Sequence, residues 1–395
     1  MAHKTKIRTV KSEFSVIIFS LSLIGIRISE RKTCGGLNPK CNLKSIIEFF
    51  AEISLMLFAV SAVINGVFFI EYGTPMLKFT SISLRTTLFI LRCILYCKRN
   101  QILKVIHKLQ SFSKSQQCVL HSSERRYVTL GCVLSFLFPA VIVVISIAFL
   151  MTDTEAHKGI YEKFFHIRNI SNLSKTLIGI LSTLLQTLFT LHYFVFPALI
   201  MTLLSFVYSS YSNILKHRLL DVRQDLLTDM TQSALSETLK ILSTARKIHS
   251  FVENSVSFIA FLCYVLIFEN ILNLVCVLTN NFIWSSKTIR LMHSINIFFW
   301  TTTWLMILTL CGSKIKRIKH FLKHLMQDIV PRQNHSHKPG NESKEMLYLL
   351  LLNECSKFNL QFTGWGMFLI DKKLFLSIAS ILVTYGVLFA TELRS

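Results

Sequence analysis

The sequence predicts an all-α polytopic membrane protein with seven transmembrane helices, its N-terminus cytoplasmic and its C-terminus extracellular. Three observations predict it. Hydrophobic residues make up 52% of the 395 and charged residues only 16%, with a mean hydropathy of +0.50. That is the profile of a chain with several membrane spans rather than one large soluble core. The apolar residues gather into runs of about 18 residues or more, the length that crosses a bilayer as a helix. Between the runs, Lys and Arg are dense and sparse by turns.

Taken in order, the chain opens with a basic arm (Lys4, Lys6, Arg8, Lys11) and a short apolar run, Phe14 to Ile26. Arg27, Arg31 and Lys32 follow where a signal peptide needs small residues. The run therefore reads as a membrane-surface helix within a cytoplasmic N-terminal segment, 1–45. Spans are expected at Ile46–Ile70, Pro75–Cys97, Val128–Met151, Thr176–Tyr208, Val256–Leu278, Leu291–Gly312 and Leu374–Thr391. The first six make a bundle over 46–312. The fourth is about 33 residues against the ~20 a bilayer needs, and Pro197 inside it predicts a kink or a break. Leucines at helical spacing among mixed charges predict a cytosolic helical extension over 209–255. A cytoplasmic connecting segment, 313–366, leads to the last span and a short outer tail, 367–395.

Charge sets the orientation. Of the 43 Lys and Arg, 33 lie in the N-terminal segment and the second, fourth and sixth loops. Seven lie in the other loops and the tail, and three inside span two. The richer side belongs in the cytosol. Membrane orientation thus accounts for the net charge of +22 without nucleic acid as a partner. The sequons at Asn169 and Asn172 fall in the third loop, on the outer side, and are candidate glycosylation sites; those at Asn334 and Asn341 fall inside. Ten cysteines form no C-x-x-C pair and read as reduced thiols. No catalytic constellation and no cofactor motif stands out. His320, His324, His335 and His337 lack a Cys or carboxylate beside them and read as solvated rather than as metal ligands.

Span two carries Lys78, Arg85 and Arg92 seven residues apart, nearly on one helix face. Such a face must meet protein or water, since a charge at mid-membrane costs at least ~2.5–3.5 kcal/mol. Acidic partners are expected in Glu71 for Lys78, Glu269 for Arg85, and Glu48 or Glu52 for Arg92. These pairs either pin the bundle or place Arg85 and Glu269 in a polar ligand pocket. Span four adds Gln186, His192 and Tyr193, span five Asn270 and Asn273, and span six Asn296, Trp300 and Trp304. Hydrogen-bonding groups among aromatic faces suit a small polar ligand. The candidate pocket is therefore Arg85, His192, Tyr193, Glu269, Asn270, Asn273, Trp300 and Trp304.

The stretch from Leu360 to Ser395 holds a Gly364-Trp365-Gly366 turn, an Asp371-Lys372-Lys373 triplet and the uncharged run Leu374–Thr391, with Glu392 next. It resembles the last transmembrane segment of the insect gustatory receptors: T-Y, five hydrophobic residues, then Q-F, behind a glycine- and aromatic-rich lead-in. Thr384-Tyr385 match and Gly386 to Ala390 fill the spacer. Ile370-Asp371-Lys372 and Phe375 to Ser380 match the lead-in, whereas Thr391 and Glu392 stand in the Gln and Phe places. The resemblance implies a taste receptor in the plasma membrane of sensory neurons. It would act as a cation channel opened by a small-molecule tastant, a homotetramer or a heterotetramer with related receptors. It further implies a pocket in the outer half of the bundle and a last helix lining a central pore. Thr384, Tyr385, Leu388, Phe389, Thr391 and Glu392 would be the pore and gate residues. Four Glu392 carboxylates at the pore would attract cations, or the carboxylate simply faces outer-side water. Two other readings stay open. A metabotropic seven-span receptor needs the reverse orientation. A secondary transporter would use Lys78, Arg85 and Glu269 for coupling, and usually shows internal repeats.

Overall fold

About 20 residues of helix cross a bilayer, and several helices of this chain are twice that length. The computed structural model describes residues 10–26, 28, 39–68, 75–114, 122–152, 175–228, 230–279, 287–335 and 342–392. In chain order the helices are α1 (Val10–Leu23), α2 (Pro39–Phe68), α3 (Pro75–Lys114), α4 (Ser122–Thr152) and α5 (Lys175–Thr190). A π-helical turn, Leu191–Val195, joins α5 to α6 (Phe196–Thr228). Then come α7 (Gln232–Thr279), α8 (Lys287–His335), α9 (Glu342–Lys357), a hairpin of β1 (Thr363–Gly364) and β2 (Phe368–Leu369), and α10 (Lys372–Glu392). The seven expected spans fall on α2, α3, α4, α5–α6, α7, α8 and α10. The seven-span reading stands.

The helices bury one face and leave the other apolar. On α2, Phe49, Phe50, Ile53, Leu57, Val60, Ile64 and Val67 are all exposed, at helical spacing. A face that apolar needs lipid beside it. The fourth segment differs: its most apolar window is 94% buried, against 22% for the first. It is the axis of the bundle. α6 packs on α8 and α7, α3 packs on α7 and α2, and α9 covers the basic end of α7. With 40, 48 and 49 residues, α3, α7 and α8 run about 60–75 Å and extend well beyond the hydrocarbon. There Arg223 pairs with Asp328 at 2.6 Å and Arg246 with Glu354 at 2.8 Å.

Two local signals took a particular form. Pro197 has no N–H to offer the Tyr193 carbonyl, and the chain widens just before it, the Phe196 N–H reaching back to the Leu191 carbonyl. The predicted break is a π bulge. The N-terminal helix α1 buries Phe14, Ile17, Leu21 and Ile24 against α3, α4 and α6, leaving Phe19 and Leu23 exposed. It ends in a Schellman cap, with Ile26 N–H on the Leu21 carbonyl at 2.9 Å and Gly25 at φ +76°. A Cβ on Gly25 would lie 2.9 Å from the Glu52 backbone, so α1 meets α2 at a point only glycine fits.

Candidate ligand chamber and last-helix clamp

The charged face of α3 divides between two neighbours. Glu269 of α7 accepts hydrogen bonds from Ser83 and from Thr87 (3.0 Å). Arg85 donates instead to the Ala62 carbonyl of α2 at 2.9 Å, its side chain lying over Gly66. The expected Arg85–Glu269 pair is replaced, and helix geometry explains why. Residues four apart share a face, while a residue two away points to the other side. Ser83 and Thr87 therefore face α7, and Arg85 faces α2. Two turns further along α3, Arg92 is buried, its guanidinium 4.3 Å over the Phe196 ring. Arg92 and Glu52 line one cavity of about 500 Å³ between α2 and α3. Lys78 is exposed; the side chains of Glu48 and Glu71 lie outside the described residues.

The π bulge turns two candidates inward. His192 is fully buried, ringed by Phe58 (5.7 Å), Tyr193 (5.1 Å) and Phe196 (6.2 Å, parallel). Among the described residues neither imidazole nitrogen has a hydrogen-bond partner. Tyr193 stacks on Phe189 at 4.2 Å. On α8, Trp300 and Trp304 are fully buried with both indole N–H groups unpartnered among the described residues, Trp300 standing edge-on to Phe194 at 5.7 Å. Buried polar atoms in folded proteins are nearly always bonded to protein or water. Unpartnered donors on His192, Trp300 and Trp304, set among aromatic rings, are what a small polar guest would satisfy. Asn270 spends its amide on the Leu266 carbonyl (2.9 Å), Asn296 reaches the Phe138 carbonyl (3.2 Å), and Asn273 is half-buried.

The second construction holds α10. The β1–β2 hairpin turns through Trp365 (φ +52°) and Gly366 (φ +72°). A bulky residue rarely keeps positive φ unaided. Trp365 is kept there by its N–H on the Ser257 carbonyl (3.2 Å) and by the rings of Phe258 (4.9 Å) and Phe261 (5.7 Å). Glu253 of α7 accepts both the backbone N–H (2.7 Å) and the hydroxyl of Thr363. Phe362 is driven into the core between Tyr208 (4.1 Å) and His249 (5.1 Å). On the α8 side, Ile370 lies so close to Gly312 that a Cβ there would come within 2.4 Å of it. Asp371 pairs with Lys316 and caps α10 by accepting the Leu374 N–H at 3.0 Å. Burial pushes the Asp371 carboxyl up, but the hydrogen bonds from Lys316 and Leu374 and the Lys316 charge outweigh it, holding it below the ordinary carboxylate range.

From this clamp α10 runs out with a stripe of exposed residues, Leu376, Ser380 and Thr384. Thr384 donates to the Ser380 carbonyl at 2.9 Å. Tyr385, Leu388, Phe389, Thr391 and Glu392 continue the helix, but their side chains lie outside the described residues, as do Asn169 and Asn172 entirely.

Neither a protein-family model nor a curated protein sequence matches this chain. Solved structures do. The insect olfactory receptor OR5 from Machilis hrabei, in complex with eugenol, superposes with a TM-score of 0.68 at 12% identity, over 97% of this chain and 98% of that one. A second structure of OR5 superposes at 0.64 and 11%, covering 96% and 97%. The fold is that of an insect olfactory receptor. The likeness to OR5 thus takes in nearly the whole length of both chains. Within this olfactory-receptor fold, α7 and α8 belong to both constructions: one stretch of each carries Glu269 or Trp300 and Trp304, and another holds the hairpin. Sequence reading named the Gly364-Trp365-Gly366 turn and missed what holds it. The partners Glu253, Ser257, Phe258 and Gly312 lie more than fifty residues upstream, with no motif linking them to the turn.

Proposed function

We propose that the chain is a chemosensory receptor acting as a ligand-gated, non-selective cation channel that detects small-molecule tastants. The observation that carries the proposal is the end-to-end likeness in fold to an insect olfactory receptor whose structure holds eugenol. The ligand would lodge among His192, Tyr193, Trp300 and Trp304, near Glu269. The receptor sits in the plasma membrane of sensory neurons with its N-terminus inside, as a homotetramer or with related receptors, and α10 lines the pore. A tastant that binds the open arrangement better than the closed one shifts the population toward open. α7 and α8 are continuous helices joining chamber to clamp, so a tilt at Glu269 or Trp300 moves the hairpin and α10 with it. The taste assignment is supported by the Thr384-Tyr385 segment and its lead-in. Thr391 and Glu392, in place of Gln and Phe, form the outer ring of the pore.

The test is a tastant panel applied to excised patches from cells expressing this chain, without GTP. The proposal expects unitary cation currents that follow the ligand. Ligand responses that appear only with GTP would instead mark a metabotropic receptor, and substrate uptake without current a transporter.

A further inference from the structure

A cavity larger than the one beside Arg92 lies far from the chamber, among the basic ends of α3, α6 and α7. Its volume is about 820 Å³. Four cations line it, Lys108 of α3, Arg218 of α6, and Lys240 and Lys247 of α7, against one carboxylate, Glu237. The walls are otherwise rich in hydroxyls, among them Ser236 and Thr244. Ser236, Lys240, Thr244 and Lys247 follow one another at three- and four-residue steps, so a hydroxyl and an ammonium alternate along one face of α7, neighbours about 5–6 Å apart. Opposite them Lys108 stands 3.5 Å over the Phe251 ring. Below, the Arg218 guanidinium is buried and stacked 4.5 Å over Phe112, which fixes its fork in place.

A cavity of this size with a net charge of three positives is wrong for an apolar tastant and right for a multiply charged anion. Three separate elements supply the cations, so charge converges from several sides. That suits phosphates spread around a compact ring better than phosphates in a line. We propose that this cavity binds a polyphosphorylated ring of the inositol-phosphate class, with Lys108, Arg218, Lys240 and Lys247 as its cationic ligands. The guest ties α3, α6 and α7 together beyond the bilayer. Its cytosolic placement rests on the proposed orientation; its chemistry does not. Lys108 lies eleven residues beyond Cys97, about 16 Å past the expected end of span two. Both a soluble inositol polyphosphate and the headgroup of a phosphoinositide lipid carry the required phosphates.

The test is calorimetric titration of inositol hexakisphosphate into the purified full chain in phosphatidylcholine nanodiscs. Binding is expected, and it should weaken as salt is raised. The double variant Lys240→Gln/Lys247→Gln should lose on the order of tenfold in affinity. Both lysines are exposed, and an unchanged melting temperature confirms that the variant folds. Lys319→Gln/Lys323→Gln, exposed on α8 outside the cavity, should bind as the native chain does. Nanodiscs doped with phosphatidylinositol bisphosphate then separate the sources. A weakened titration there assigns the site to the lipid headgroup, and an unchanged one assigns it to the soluble anion. No binding up to about 1 mM in either nanodisc, or native affinity in the Lys240/Lys247 variant, overturns the proposal. Binding is read directly, so the result is independent of whether the chain conducts.

Discussion

Replacing Asp371 should loosen the last helix by an amount its contacts bound. Asp371 does two things: it pairs with Lys316, and it caps α10 through the Leu374 N–H. Asp371→Asn keeps a good cap and removes only the ion pair. Exposed pairs contribute about 0.2–1 kcal/mol. Here the Lys316 side chain is 41% exposed and that of Asp371 only 9%, which puts this pair near the top of that range. Asp371→Ala also removes the cap, a further ~1 kcal/mol. If docking of α10 is coupled to opening, about 1 kcal/mol shifts the half-activating tastant concentration up to ~5-fold in Asp371→Asn, and about 2 kcal/mol up to ~30-fold in Asp371→Ala. Lys316→Gln should match Asp371→Asn, and combining the two should add nothing, since both remove one interaction. The assay is the dose–response of whole-cell current, normalised to surface protein. A native dose–response in Asp371→Ala would refute the coupling. The pH dependence follows from sign. The folded carboxyl titrates below its unfolded value near ~4, so its contribution is complete above that value and is lost only as pH falls through the lower, folded one. Between pH 5 and 8 the ratio of native to Asp371→Asn activity should therefore stay constant.

Three further perturbations probe other contacts. Gly312→Ala drives a methyl into Ile370 and should destabilise by about 1–3 kcal/mol, seen as a lower melting temperature in detergent. Adding Ile370→Ala should recover part of that loss, whereas strictly additive losses would show that the two residues do not touch. His192→Phe replaces a buried, unpartnered imidazole with a ring of similar shape and should leave the melting temperature within about 1 kcal/mol of native. Its tastant sensitivity should fall at least about tenfold, an interaction of ~1.4 kcal/mol; native sensitivity would remove His192 from the chamber. Glu392→Gln should lower single-channel conductance at low salt, where surface charge is least screened. Equal conductance would take Glu392 out of the pore.

What the sequence shows and what it hides divide along physical lines. The seven spans are legible because lipid demands uninterrupted apolar runs, and the break in the fourth because Pro197 lacks an N–H. Burial around His192, Trp300 and Trp304 follows from their depth in those runs. Pairing across helices is another matter. Arg85 and Glu269 lie at matching depth, but depth does not give the rotation of α3, and two residues of rotation hand Glu269 to Ser83 and Thr87. The clamp is hidden for a different reason: Thr363 needs Glu253 across 110 residues, and no local period records such a contact. Lys108, Lys240 and Lys247 look like solvated basic faces in sequence. Only packing of α3 against α7 gathers them around one cavity.

The central claim is that this olfactory-receptor fold sits with its N-terminus in the cytosol and hangs α10 toward the outside as a pore helix. An epitope tag placed after Ser395, stained on intact and then on permeabilised cells, tests it most directly. The account predicts staining of intact cells at full intensity. Staining that appears only after permeabilisation, with the protein shown to be at the surface, would put the C-terminus inside and contradict it.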